Sequence, residues 1–238
     1  GAGMYASGGR EQITKVINNG GITVNGPSRG AYDAIGMVAT GKNAQAVNNS
    51  SNITLKSNTG GFYVHNGGEI INNANLTVNS SGVSIFNIDT DSKGSSTGNI
   101  TMTGANSVAF YNKGDFTSTG DIEINGDNSI AVYNTGTDAA ITNIKADSIE
   151  LTGEKGAVFF TDGGKINIAP KTVDGMTSVI VSGKSSYLFY DSSFKTGNIP
   201  NQTFVINGNL NAIVENGAIA FDFKNASGGL LDYVENDL

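Results

Sequence analysis

The chain contains 238 residues, among them 33 glycines, 3 prolines and no cysteine, and its formal net charge is −7. The two arginines, Arg10 and Arg29, form no basic stripe that could neutralise phosphates, so we expect no nucleic-acid partner. No stretch of the sequence approaches the roughly 18 consecutive apolar residues of a membrane-spanning helix.

A strand-like phrase returns about once every 25 residues. Its fullest copies are residues 100–104 followed by 108–112, and residues 122–126 followed by 130–134. The opening tripeptides begin at Ile22, Ile53, Leu76, Ile100, Ile122, Ile149, Val179 and Phe204. Their spacing varies from 22 to 31 residues, which indicates that the strands are kept while the loops differ in length. Because one such unit cannot bury its own apolar face, the units must stack, and we predict a single solenoid domain over residues 1–238.

The first strand of the repeat alternates between apolar and polar residues. Ile22-Thr23-Val24 and Ile122-Glu123-Ile124 show the pattern, in which only the middle residue is polar. Such alternation predicts that one face of the strand points into a core and the other meets water. The last two copies, Val179-Ile180-Val181 and Phe204-Val205-Ile206, are apolar at all three positions, so we expect their outer face to be covered.

The second strand contributes two columns, a column being the set of residues at one position of successive repeats. The first column contains Val47, Val64, Ile85, Phe110, Val132, Phe159, Phe189 and Val214. The second column, two residues earlier, contains Gln45, Phe62, Val83, Val108, Ile130, Ala157, Tyr187 and Ala212. Residues two apart lie on the same side of a strand, so we expect both columns to line the interior.

A less regular third strand follows. Its apolar residues are Phe116, Ile141, Ile144, Ile166, Ile168, Phe194, Ile219 and Phe221. Three short strands per turn close a triangular coil, and connections that always run the same way make equivalent strands parallel. The sequence therefore predicts an all-β fold, a parallel β-helix with three sheets and about eight to ten coils.

A polar column stands between the second and third strands. It contains Asn49, Asn66, Asn87, Asn112, Asn134, Thr161, Asp191 and Asn216. Asparagine tolerates the left-handed backbone angles that a sharp corner needs, and stacked amides can bond along the axis. We therefore place this column at a corner of the coil.

The later repeats become more apolar on the side that we take as the outer one, at Val158, Leu188 and Ile213. This drift predicts that the later coils are covered. The segment 225–238, which contains Leu230 and Leu231, either supplies that cover or continues into further sequence.

Three pieces of the sequence carry a family resemblance: Gly1-Ala2-Gly3-Met4-Tyr5-Ala6, residues 17–24 and residues 43–49. With the Gly- and Asn-rich repeats and the absence of cysteine, they resemble the passenger domains of autotransporters, above all the large fusobacterial-type adhesins. The resemblance implies a right-handed β-helix on a bacterial cell surface, or secreted, that mediates adhesion without catalysis or cofactor. It also implies a piece of a longer passenger whose outer-membrane anchor, a C-terminal barrel, is absent here. The implied partner is a protein or glycan on a host or bacterial cell, and the oligomeric state stays open.

An aromatic column is the candidate binding site. It contains Phe86, Tyr111, Tyr133, Phe160 and Tyr190, and His65 falls in the same column. If Phe110 and Val132 point inward, the two-residue period turns these rings outward beside Ala109 and Ala131. A row of exposed aromatic side chains suits sugar faces and protein interfaces, and the alternative is that the rings pack under neighbouring loops.

Candidate catalytic and metal-binding residues are sparse. His65 has neither a second metal ligand nor a nucleophile at a recognisable spacing, so we expect a structural role and no metal. The loop from Asp89 to Gly94 departs from a calcium loop, because Lys93 stands where an oxygen ligand is needed.

Two other function classes fit the residues less well. A polysaccharide lyase or hydrolase would use the same coil, but Asp162 and Asp191 are the best available pair and lack acid and base partners. Ice binding through a threonine column is interrupted by Glu123 and Glu150. That column contains Thr23, Thr54, Thr77 and Thr101.

Overall fold

The computed structural model describes residues 1–9, 11–26, 34–136, 140–192 and 203–223. These residues form strands, turns and bends but no helix, so none of them belongs to a helix able to cross a membrane. Arg10, Arg29, Phe194 and the segment 225–238 lie outside the described residues.

The described residues form a succession of short strands. They are β1 (Ala2–Ser7), β2 (Thr14–Asn18), β3 (Ile22–Val24), β4 (Ile35–Thr40), β5 (Ala44–Asn48), β6 (Ile53–Leu55), β7 (Gly60–His65), β8 (Glu69–Asn72), β9 (Leu76–Val78), β10 (Ser84–Ile88), β11 (Lys93–Ser96), β12 (Ile100–Met102), β13 (Val108–Asn112), β14 (Asp115–Ser118), β15 (Ile122–Ile124), β16 (Ile130–Asn134), β17 (Ile141–Lys145), β18 (Ser148–Leu151), β19 (Ala157–Thr161), β20 (Lys165–Ala169), β21 (Met176–Val181), β22 (Tyr187–Asp191), β23 (Phe204–Ile206), β24 (Asn209–Val214) and β25 (Ile219–Phe223).

Every third strand belongs to the same side of the coil. Sheet 1 contains nine strands, from β1 to β25, and sheet 2 contains eight, from β2 to β23. Sheet 3 consists of the pair β3–β6 and a six-stranded ladder from β9 to β24. Neighbouring strands are parallel in all three sheets, which confirms the predicted parallel β-helix, while its right-handed sense stays a prediction. About six turns have an unbroken ladder on all three sides, slightly fewer than the eight to ten coils expected.

Stacked rings from sheet 1 fill the middle of the core. The ring centroids of Phe62 and Phe86 are 4.9 Å apart and those of Phe86 and Phe110 are 5.3 Å apart, close to the spacing of neighbouring strands. Phe116 reaches in from sheet 2 and lies 4.9 Å from Phe110. A Cβ atom on Gly94 would come within 2.5 Å of the Phe116 ring, so the glycine leaves the space that this ring occupies. One column of aromatic side chains thus joins successive coils.

The alternation predicted for the first strand is confirmed in sheet 3. Ile100, Ile122, Ile149 and Val179 lie opposite one another and are buried, as the pattern required. The assignment of Phe204 to the first strand was wrong, because Phe204 lies in sheet 2 and Val179 pairs with Ala212 in sheet 3. After β22 in sheet 1 the chain must enter sheet 2 before it reaches sheet 3, and the irregular spacing of the repeats hid that step.

The first predicted interior column is right only in the middle of the chain. Phe110, Val132, Phe159 and Phe189 lie opposite one another. Val47 is in sheet 2 and Val214 is in sheet 3. Val64 and Ile85 are out of register, because Phe62 and Phe86 occupy those places. Val64 and Ile85 are themselves fully buried, so apolar character could not distinguish them from the true members.

The second predicted column, two residues earlier, does not line the interior as expected. Val108, Ile130, Ala157 and Tyr187 do lie opposite one another, but all except Ala157 are half-exposed. Gln45 lies in sheet 2 and Ala212 in sheet 3, and Phe62 and Val83 are out of register with these four.

The interior is lined instead by the next residue of each strand. Ala109, Ala131, Val158 and Leu188 are all buried. In β13, Ala109 and Phe110 are both buried, so strict alternation fails where the chain enters sheet 1 from a corner. Val158 and Leu188 therefore belong to the core and not to the outer face on which the sequence placed them, whereas Ile213 is 42% exposed. A cover from the segment 225–238 stays a prediction.

The third predicted strand is largely sheet 2. Phe116, Ile144, Ile166 and Ile168 are buried there, as expected, while Ile141 is half-exposed. Ile219 and Phe221 belong to β25 in sheet 1, so their assignment was wrong.

Half of the polar column predicted at a corner is interior, whereas Asn49, Asn66 and Asn216 are exposed and Asn87 is half-exposed. Asn112, Asn134, Thr161 and Asp191 are fully buried strand residues of sheet 1. Asn66 and Asn216 do have left-handed backbones, with φ of 55° and 57°. The recurrent left-handed corner precedes sheet 1 instead, at Asn58, Asn106, Asn128, Lys155 and Ser185.

A ladder of buried side-chain amides runs along sheet 2. Asn18 donates to Asn48 at 2.8 Å, and Asn48 donates to Asn72 at 2.7 Å. Asn72 donates to the hydroxyl of Ser96 at 3.0 Å, and Ser118 follows Ser96 in the register. Because each amide bonds to the next coil, the buried polar groups are satisfied along the axis.

Ser118 ends this ladder, and its removal should stabilise the protein. Its buried hydroxyl finds no hydrogen-bond partner in the part of the chain that the structure describes. We expect Ser118→Ala to raise the free energy of unfolding by about 1 kcal/mol, because an unsatisfied buried hydroxyl is removed with little loss of volume. Ser96→Ala is the matched control and should be destabilising, since the amide of Asn72 loses an acceptor. Denaturant unfolding of both variants checks the sign, and a loss of stability in Ser118→Ala contradicts the prediction.

Candidate binding surface

The outer face of sheet 1 carries a column of large side chains. From one end of the sheet to the other it contains Tyr5, Val38, Tyr63, Asn87, Tyr111, Tyr133, Phe160, Tyr190 and Asp222. We call Tyr111, Tyr133, Phe160 and Tyr190 the aromatic row. The strands position it, because residues at equal places on parallel strands repeat at the strand spacing of about 4.8 Å.

The rings of the aromatic row touch one another along the axis. The ring centroids of Tyr111 and Tyr133 are 5.2 Å apart, and those of Tyr133 and Phe160 are 4.5 Å apart, both edge to face. Phe160 and Tyr190 stack with their centroids 4.7 Å apart. Each member stays half-exposed, so the row packs against itself and still presents a continuous aromatic surface.

One of the five residues predicted for this surface was misplaced. Phe86 is fully buried and stacks on Phe62 and Phe110, and the outward position on its strand belongs to Asn87. The sequence assignment missed Tyr63, which lies outward opposite Asn87. An alignment on the inner rings Phe62, Phe86 and Phe110 would have found it, since Tyr63 directly follows Phe62.

His65 does not join the predicted aromatic column. It lies two residues beyond Tyr63 on β7, and the two rings stack with centroids 4.9 Å apart. Among the described residues no group of three or more His, Cys, Asp or Glu could hold a metal ion.

The two aspartates considered for catalysis have different surroundings. Asp162 is exposed, and its Oδ2 accepts a hydrogen bond of 3.2 Å from the Tyr133 hydroxyl. Asp191 is a buried strand residue, which corrects its placement in the corner column. The residues lie near the same corner, because Thr161, next to Asp162, is opposite Asp191.

Burial raises the pKa of Tyr133 to about 12, and the negative charge of Asp162 and its hydrogen bond add to the rise. Burial also raises the pKa of Tyr63 above its ordinary value, and the nearby carboxylate of Asp89 adds to this while Lys113 opposes it. Both hydroxyls therefore stay protonated at neutral pH and act as hydrogen-bond donors.

The Tyr133 pKa predicts an alkaline loss of stability. The pKa of Tyr133 in the folded protein lies above its unfolded value of about 10. Protonated Tyr133 therefore contributes fully to the free energy of unfolding below pH ~10, and this contribution is lost as the pH rises toward ~12. Because Tyr133 is half-exposed and solvent screens its interactions, we expect a loss of about 1 kcal/mol. Denaturant unfolding between pH 9 and 12 should show a shallower decline for Tyr133→Phe than for the wild type. If the free energy of unfolding falls equally steeply with pH in both proteins, the predicted effect of Tyr133 is contradicted.

A gap interrupts the outer column at Asn87. A cavity of about 250 Å³ opens there, and its lining includes Tyr63, Asn87, Asp89, Tyr111 and Lys113. The Lys113 ammonium lies 5.5 Å from the centroid of the Tyr111 ring. We call this cavity the slot.

A wider groove of about 900 Å³ lies at the adjacent corner, and Asp89 lines both cavities. Its lining includes Lys42, Glu69, Asp91 and Lys93. The loop from Asp89 to Gly94 begins with a hydrogen-bonded turn. The Thr90 backbone donates to Asp89 Oδ1 at 2.9 Å, and the Ser92 backbone donates to the Asp89 carbonyl at 3.2 Å.

The threonine column lies on the outer face of sheet 3, as the sequence predicted. Thr77, Thr101, Glu123 and Glu150 follow one another in register, and Thr101 donates to Glu123 at 3.4 Å. Carboxylates thus stand in line with the hydroxyls, so the array is not a uniform threonine face.

No protein-family model, curated protein or solved structure matches this chain.

Proposed function

We propose that this chain is a segment of a bacterial surface adhesin of the autotransporter passenger type, a rigid β-helix that attaches to a protein or glycan on a host or bacterial cell. The aromatic row on sheet 1 is the observation that carries the proposal. Half-exposed rings in unbroken contact over four coils form an apolar surface with polar hydroxyls at its edge. Large contiguous aromatic surfaces on a soluble chain mark binding sites.

The scaffold supports attachment in two ways. Continuous parallel ladders and buried amide ladders fix the spacing of the rings, so little ordering is needed when a partner binds. The repeat also presents equivalent side chains at regular intervals, which suits repeated contacts with an extended partner.

Cell attachment of the purified, labelled chain tests the proposal. We expect wild-type protein to bind cultured epithelial cells or bacterial cells, and we expect the double variant Tyr133→Ala/Phe160→Ala to bind roughly tenfold more weakly, since central aromatic side chains dominate interfaces. Thr54→Ala/Thr77→Ala on sheet 3 is the matched control and should bind like the wild type. Circular dichroism verifies folding of each variant. Absence of attachment by the wild type, equal attachment by the aromatic variant, or cleavage of uronic-acid polymers by the wild type would overturn the proposal.

A further inference from the structure

The slot is one ring wide. Tyr63 and Tyr111 stand on either side of Asn87 in the register of sheet 1, so their backbones lie about 9.5 Å apart, twice the strand spacing. In the aromatic row, from Tyr111 to Tyr190, an aromatic ring fills the corresponding place, with centroids 4.5 to 5.2 Å from its neighbours. At Asn87 that ring is missing, and a cavity takes its place.

Small residues on the neighbouring column open the slot further. Gly60 and Ser84 lie where later coils have Val108 and Ile130. A Cβ atom on Gly60 would meet only the Ile35 side chain at 3.4 Å and the Asn87 amide at 3.7 Å, so the backbone does not require glycine there through a close contact. The glycine therefore widens the surface beside Asn87.

Polar groups surround the edge of this space. Tyr63 and Asp89 both line the cavity, and Lys113 lies beside Tyr111. Asn87 accepts from Ser84 at 2.7 Å, which orients its amide. An apolar floor and aromatic walls with donors and acceptors at the rim match a ring that has apolar faces and hydroxyl groups at its edge, which is a pyranose.

Charge and shape indicate which kind of sugar. Three lysines and three carboxylates line the slot and the corner groove together, so their formal charges cancel although the chain as a whole carries −7. They are Lys42, Lys93, Lys113, Glu69, Asp89 and Asp91. A neutral site favours an uncharged sugar over a uronate or sialate. The slot, about 250 Å³, suits one ring, while the adjoining groove suits further units of the same chain.

We propose that the slot and the corner groove bind a neutral oligosaccharide, with one pyranose ring between Tyr63 and Tyr111 and the following units along the groove past Asp89. This inference rests on the proposed adhesin function and names the ligand class at a second part of the same face, away from Tyr133 and Phe160.

Asn87→Phe tests the site because it fills the slot with the ring that later coils already carry, and leaves the walls intact. A microarray of neutral and anionic oligosaccharides, followed by calorimetry with the strongest neutral binder, should show binding by the wild type and a loss of roughly tenfold or more in Asn87→Phe. Gly60→Val, which puts a larger side chain into the lining of the slot, should weaken binding in the same direction. Ser95→Phe adds a ring to the outer face of sheet 2 in the same coil and should bind within about twofold of the wild type.

Three results would overturn the site: no neutral sugar bound by the wild type, preference for anionic sugars, or unchanged affinity in a folded Asn87→Phe. Cell attachment of the same proteins separates the two proposals. Unchanged sugar binding in Asn87→Phe rejects the slot, and cell attachment by the wild type leaves the adhesin function standing. Sugar binding through the slot without any cell attachment rejects the adhesin function alone.

Discussion

Phe110→Ala is expected to lower the free energy of unfolding by about 3–5 kcal/mol. The ring is fully buried, stacks on Phe86 at 5.3 Å and contacts Phe116 at 4.9 Å, so truncation leaves a cavity between two sheets. Gly94 has no side chain to fill that space, and the stacked strands limit relaxation. Denaturant unfolding followed by circular dichroism measures the loss.

Tyr111→Ala is the matched control on the same strand. Tyr111 is half-exposed and contacts Tyr133 edge to face, so its removal should cost between about 0.5 and 1.5 kcal/mol. Hydrogen exchange adds a spatial readout, because each coil contacts mainly its neighbours. In Phe110→Ala, amides of β10, β13 and β16 should lose protection before those of β2 or β24. Equal costs for the two variants would contradict the assignment of Phe110 to the interior.

Asn112→Leu is expected to lower the free energy of unfolding by about 3–5 kcal/mol, although the two side chains are similar in size. The side-chain nitrogen of the buried Asn112 lies within hydrogen-bonding distance of four acceptors, the nearest being the Thr142 hydroxyl at 2.8 Å. The side-chain oxygen of Asn112 accepts from the Gly114 backbone at 2.9 Å. The same hydroxyl of Thr142 donates to Asn134 at 3.0 Å, so three side chains from two sheets form one network. Leucine would leave several of these buried groups without partners.

Asn73→Leu provides the control for this substitution. Asn73 is exposed, and in the described structure its side-chain amide donates only to the exposed Asn49 side chain, at 2.9 Å, so we expect a change within about 0.5 kcal/mol. Thermal unfolding of both variants gives the comparison. If Asn112→Leu is as stable as the wild type, the buried network does not contribute as described.

Two features could be predicted from particular residues. Ile100-Thr101-Met102 and Ile122-Glu123-Ile124 each place one polar residue between two apolar ones, and that pattern alone fixes which face is buried. The central sheet 1 column from Phe110 to Phe189 was also correct, because its coils carry the fullest copies of the repeat. By contrast, Ile85 and Phe86 are adjacent and both apolar, and both are buried, so no pattern in the sequence could tell the strand register.

The candidate site shows the same division. Tyr111, Tyr133, Phe160 and Tyr190 were assigned correctly to one column. Phe86 was wrongly included through a one-residue register error at β10, and Tyr63 was missed because His65, two residues further along β7, was aligned in its place. The slot depends on that register, because its gap exists only once Asn87 is placed between two tyrosines.

The sequence by itself determined a repeating parallel solenoid, since the spacing of β-branched and aromatic residues requires each unit to bury its face on the next. Only the tertiary structure decided that Asn48, Asn72 and Asn112 lie inside. Polar side chains can be buried when their hydrogen-bond partners come from coils more than 20 residues away in the sequence, and those partners are brought together only by the fold.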